Sequence, residues 1–105
     1  MTDHKLVLTT AGSVDEARAI GRALVERRLA ACVNIVPQIE SIYRWKDAVE
    51  EAHEWLLLIK TSTSAFDRVR AAIQELHSYE VPECICVNIE DGSPKYLEWI
   101  GDSVK

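Results

Sequence analysis

The stretch that decides the fold runs from Cys32 to Thr61. It opens as Cys32-Val-Asn-Ile-Val36, continues through Ser41-Ile-Tyr-Arg-Trp45, turns near Lys46-Asp47 and returns as Trp55-Leu-Leu-Leu-Ile-Lys60-Thr61. Both arms are dense in β-branched, aromatic and leucine residues, which predicts a long β-hairpin. An arm of about 13 residues at about 3.3 Å each spans roughly 43 Å. A compact chain of this length is only roughly 33 Å across, so the hairpin has to project from its own domain. Its outer part carries Tyr43, Trp45 and, at the margin, Trp55. Such a patch is costly to leave exposed, and a second copy of the chain is the simplest cover. Pro37 cannot donate a ladder hydrogen bond, so a bulge or bend is expected there. Trp55–Ile59 shows no polar alternation, which implies burial on both faces and points again to assembly.

Outward from the hairpin, the punctuation is regular. Lys5–Thr10 is a short apolar run ending in polar residues, which predicts a central strand. Ser13 with Glu16 three residues on forms a capping box, and Ala17, Ile20, Gly21 and Leu24 supply the inner stripe of a first helix. Beyond the hairpin, Ser62-Thr63-Ser64 offers N-caps, and Phe66, Val69, Ile73 and Leu76 mark one face of a second helix. His77–Pro82 connects to a fourth strand, Glu83–Ile89, expected to be packed on both faces. Ser93-Pro94 then opens a final helix with Leu97, Ile100 and Val104 as its stripe. The order βαββαβ plus a C-terminal helix is that of an α+β, ferredoxin-like split βαβ sandwich. Residues 1–105 read as a single domain.

The totals exclude several partners. With 105 residues there is room for one core and little else, and a net charge of −5 disfavours a phosphate backbone. Arg18, Arg22, Arg27 and Arg28 are interleaved with Glu16 and Glu26 and read as a solvated helix face, so no nucleic-acid partner is expected. No run of 18 apolar residues exists, so no membrane partner is expected, and the lack of a leader-like start points to the cytoplasm. Three cysteines, an odd number, argue against a disulfide framework.

Candidate chemistry is sparse. Cys84 and Cys86 would point the same way on a strand about 6.6–7 Å apart at Cα, near or beyond disulfide range, and packing is the simpler reading. His77 stands at a helix C-terminus, where it serves as a cap or faces a ligand. No nucleophile elbow, phosphate loop, dinucleotide fingerprint or zinc-spaced set is present. The loop Thr9-Thr10-Ala11-Gly12-Ser13 lacks the Arg of an acylphosphatase-like enzyme and the Cys-x-x-Cys of a metallochaperone.

Taken in order, Leu29-Ala-Ala-Cys-Val-Asn-Ile35, Ser41-x-Tyr43-x-Trp45, Glu51–Glu54 leading into Ile59-Lys60-Thr61, His77-x-Tyr79-Glu80-Val81-Pro82-Glu83 and Tyr96-Leu97-x-Trp99 resemble the CutA family of divalent-cation tolerance proteins. The resemblance implies a homotrimer built around the hairpins, similar in shape to PII signalling proteins. It also implies a role in tolerance to Cu(II) or another divalent cation; no enzymatic activity is expected of the chain. A metal- or small-ligand-binding cleft between subunits would draw on Trp45, Glu51, Lys60, His77, Tyr79, Glu83 and Trp99, with His77 as the metal ligand. The alternatives are a PII-like interaction scaffold without metal and an enzyme using Lys60, His77 and a carboxylate such as Glu51 or Glu83. The chain departs from the family pattern at three places. Asp47 stands where Gly is common, Ser78 where Pro usually follows the His, and Thr9, Thr10 and Leu76-His77 where a Cys and a His pair are proposed copper ligands.

Overall fold

The structure, a computed structural model, describes residues 2–105. Strand β1 (His4–Ala11) leads into helix α1 (Val14–Glu26), followed by the hairpin strands β2 (Cys32–Trp45) and β3 (Ala48–Ser62). A 3₁₀ turn at Thr63–Ala65 precedes α2 (Phe66–Leu76), then come β4 (Ile85–Asn88) and α3 (Pro94–Ser103). The strands form an antiparallel sheet in the order β2-β3-β1-β4, which is the ferredoxin-like arrangement.

The hairpin is as long as its sequence demands. Leu56–Lys60 of β3 pairs with β2 on one side and β1 on the other, whereas Ala48–Glu54 pairs with β2 alone and projects. The molecule measures 44 × 25 × 23 Å, elongated as expected for such an arm. Lys46 and Asp47 turn the chain with φ of 50° and 64°. Positive φ at both turn residues is the geometry whose twist matches a two-residue hairpin. At Pro37 the register slips: Val36 pairs with Leu56, but Ile39 pairs with Glu54, so β2 spends one extra residue there and Gln38 takes φ 54°. A bulge of this kind exchanges the faces of everything beyond it.

One sheet face carries the core. Val7, Thr9 and Ala11 of β1 and Leu57, Ile59 and Thr61 of β3 alternate onto it, all but inaccessible. Ala17, Ile20, Leu24, Val69 and Ile73 of α1 and α2 cover them. Each large aliphatic side chain buried there contributes about 1.5–3 kcal/mol. Trp55 packs against this same core and does not belong to the projecting arm.

The opposite face carries Leu6 and Leu8 of β1, Leu56 and Leu58 of β3, Ile85 and Val87 of β4, and Val36 of β2, as the register dictates. Within one chain Ile85 and Val87 are 51% and 42% exposed, so β4 is covered on its helix side only. α3 packs against β1 and β3, and its Gly101 meets the ring of His4, so it covers just one end of this face.

Three local expectations are corrected. β4 is shorter than Glu83–Ile89, because β1 offers pairing partners only from Lys5 to Leu8. Val104 lies beyond the end of α3. The capping box is half made: Ser13 Oγ accepts from Glu16 N–H at 3.1 Å, but the Glu16 carboxylate turns away to Ser78.

Candidate functional site

A cavity of about 660 Å³ opens where the projecting arm leaves the sheet. Thr10 and Glu54 form its floor, the stretch 40–43 with Trp45 one wall, and Tyr79, Glu80, Val81 and Glu83 the other. Its construction follows from the bulge. Before the slip, Val36 shares a face with Leu56; after it, Ile39, Ser41, Tyr43 and Trp45 share the face of Glu54. The same extra residue thus brings Tyr43 and Trp45 round to the carboxylate.

Glu54 is 7% exposed, and its Oε2 accepts a 2.7 Å hydrogen bond from the Tyr79 hydroxyl. Burial and the adjacent Glu54 push the Tyr79 phenol far above its ordinary value. Burial, with repulsion from Glu54, likewise raises Glu83 above the usual carboxylate range. With Glu40 and Glu80, four glutamates thus line one cavity, with no Lys, Arg or His among the described residues of its lining.

The connecting loop is held from behind by His77. Its side chain is inaccessible, its Nε2–H donates to the Thr10 carbonyl at 2.6 Å, and its Nδ1 accepts from Tyr79 N–H at 3.1 Å. The Thr10 carbonyl only accepts, so the proton of that bond sits on Nε2. Glu16 Oε1 lies 3.1 Å from Nδ1 and also takes bonds from Ser78 N–H (2.9 Å) and Ser78 Oγ (3.0 Å). Burial opposes the charge on Glu16, but the Ser78 bonds and the His77 ring outweigh it and hold its carboxyl below the ordinary range. The imidazole also stacks on Tyr79, with ring centroids 4.6 Å apart.

The residues expected at a site therefore divide. Trp45, Tyr79 and Glu83 line the cavity, and His77 supports it from within without lining it. Metal uptake at His77 would break one of the bonds that hold Tyr79. Glu51 is exposed on the outer arm, opposite Ile42, on the sheet face away from Glu54. Lys60 hydrogen-bonds Asn34 and pairs in register with Leu6, four residues along β1 from Thr10, a separation of about 13 Å. Trp99 stacks on Tyr96 on α3 at 5.4 Å, outside the cavity lining. Among the described residues, no group of three or more His, Cys, Asp or Glu is placed to hold a metal ion. Cys32, Cys84 and Cys86 are unpaired thiols. Burial raises the Cys84 thiol; Arg70 opposes this, and Cys86 and Glu83 add to it.

Residues 5–103 match the family model described as CutA1 divalent ion tolerance protein. The chain belongs to the CutA family. A CutA relative from Thermus thermophilus, named a divalent-cation tolerance protein, is 48% identical over 100 residues, covering 95% of this chain and 97% of that one. The Xenopus laevis CutA homolog is 52% identical over 88 residues, 84% of this chain but 58% of the longer frog protein. The solved CutA structure from Xylella fastidiosa superposes with a TM-score of 0.97 at 38% identity, covering 99% of this chain and 100% of that one. Among the described residues, no helix is long and apolar enough to cross a membrane.

The cavity residues that sequence reasoning missed are chiefly Glu40, Glu54 and Glu80. Glu54 had one readable signal, its place directly before the apolar run of β3 and in phase with Leu56 and Leu58.

Proposed function

We propose that this chain is a homotrimeric divalent-cation tolerance protein that carries a ligand-binding cleft at the base of each hairpin. The observation that carries the reading is the continuity of two surfaces. Leu8, Leu56, Leu58 and Ile85 form an apolar sheet face left open in one chain, and Thr10 and Glu54, on that same face, floor the acidic cavity. Covering the first with neighbouring copies would wall the second with partner residues. The names of the relatives supply the physiological context, tolerance to divalent cations. A reducing compartment such as the cytoplasm is supported by the unpaired thiols. An enzyme built on Lys60 and His77 is disfavoured, because one lies along the sheet from the cavity and the other is engaged behind it.

Light scattering across a micromolar dilution series tests the assembly. A trimer mass is expected, falling to a monomer in Leu58→Asp; a monomer mass throughout would remove the reading. Cells lacking the chain should lose tolerance to excess copper or another divalent cation and regain it on re-expression. Unchanged tolerance would remove the physiological half.

A further inference from the structure

We propose that the cavity binds an organic ammonium ion, in particular a di- or polyamine, with Glu54 and Glu83 receiving charged nitrogens and Tyr43, Trp45 and Tyr79 receiving the carbon chain. The inference rests on the cavity being a ligand site and adds the chemistry of what it takes.

Four glutamates line the space and no basic side chain does. A solvated acidic patch would explain Glu40 and Glu80, which are exposed. It does not explain Glu54, more than nine-tenths buried, with a phenol bonded to one oxygen and no cation among the described residues paired with it. Buried charges are ordinarily paired, so Glu54 calls for a cation that the described residues of its own chain do not supply, and an open cavity beside it gives a soluble one room to enter.

Size and geometry select the kind of cation. A bare metal ion needs several donors converging on one point, and no such group exists among the described residues. The volume of about 660 Å³ instead falls in the range of small organic ligands. Aromatic walls with carboxylates at the floor suit an ammonium carried on an apolar chain, since ring faces attract cations. The chain itself shows the contact: the Lys46 ammonium sits over the Trp45 ring, 5.8 Å from its centroid. A soluble amine would repeat inside the cavity what Lys46 does over the Trp45 ring.

The test is calorimetric titration of the assembled protein with spermidine and putrescine at physiological salt. The uncharged diol of putrescine's length and magnesium chloride at matched ionic strength are controls. Saturable amine binding is expected, with neither control competing. Glu54→Gln keeps an acceptor for Tyr79 but removes the charge and should weaken spermidine at least about tenfold. Glu83→Gln and Trp45→Ala should each weaken it several-fold, with mass and circular dichroism confirming that the variants are folded. No heat at millimolar amine, or binding unchanged in Glu54→Gln and Glu83→Gln, overturns the proposal. Binding of copper that requires Glu54 while amines fail overturns the ammonium chemistry but leaves the cavity as a ligand site. Failure of every probe overturns both.

Discussion

Tyr79→Phe removes one atom and tests how the connecting loop is tied to the cavity floor. The phenol donates at 2.7 Å to Glu54, a carboxylate buried to 7% exposure. A hydrogen bond to a charged group is worth about 1.5–3 kcal/mol. The phenylalanine ring keeps its place against His77, so packing changes little. Solvent in the cavity can reach the abandoned oxygen, which favours the lower part of that range. We expect a loss of about 1.5–2 kcal/mol, or roughly 6–15 °C in Tm for a domain of this size. Urea and thermal unfolding should be compared at one fixed protein concentration, because assembly contributes to stability by mass action. A double-mutant cycle with Glu54→Leu, which removes the acceptor, should give a coupling energy above about 1 kcal/mol. A Tyr79→Phe loss below about 0.5 kcal/mol, with no coupling, would show that the bond contributes nothing to the fold.

His77→Ala should destabilise by about 3–5 kcal/mol, since it strips partners from the Thr10 carbonyl and Tyr79 N–H and leaves a void; a urea midpoint close to wild type would refute its supporting role. Asp47→Gly should stabilise by about 0.5–1 kcal/mol, less than the roughly 1–2 kcal/mol cost of a left-handed residue, because Asp tolerates φ 64° better than most; a lower Tm would contradict this. Glu83→Gln should stabilise the protein at neutral pH. Its raised carboxyl favours folding only when protonated, so the gain should vanish in acid below the ordinary carboxylate range. Glu16→Gln should do the reverse, because its lowered carboxyl stabilises above the ordinary range and that contribution is lost as pH falls through its folded value. Parallel pH-stability profiles for the two variants would refute both assignments.

The elements were legible because each is set by local chemistry. Ser13 starts a helix, Pro37 forces a bulge, Lys46-Asp47 turns the hairpin, and the spacing of Phe66, Val69 and Ile73 marks a buried stripe. The cavity was less so, because its floor is chosen by contacts distant in sequence. In Glu50-Glu51-Ala52-His53-Glu54 the three acids read alike, yet only Glu54 falls beneath Tyr79, contributed from beyond α2. Glu51 is out of phase with it on the strand. Glu16 read as a capping residue because Ser13 stands three residues earlier, while the group that claims its carboxylate is Ser78. His77 was legible as important but not as interior, since a helix end and a binding loop carry the same sequence signature.

β2 is an edge strand 14 residues long, and a straight ribbon of that length is a template on which chains could stack without limit. The interruption at Pro37 and Gln38 divides that edge into two short runs whose side-chain phases disagree. An incoming strand that matches one run is out of phase with the other, so pairing along the whole edge is frustrated. Growth by edge addition stops after a few residues, while the broad apolar face remains available for contacts that close on themselves. The extra residue thus biases the chain toward finite particles and away from fibres.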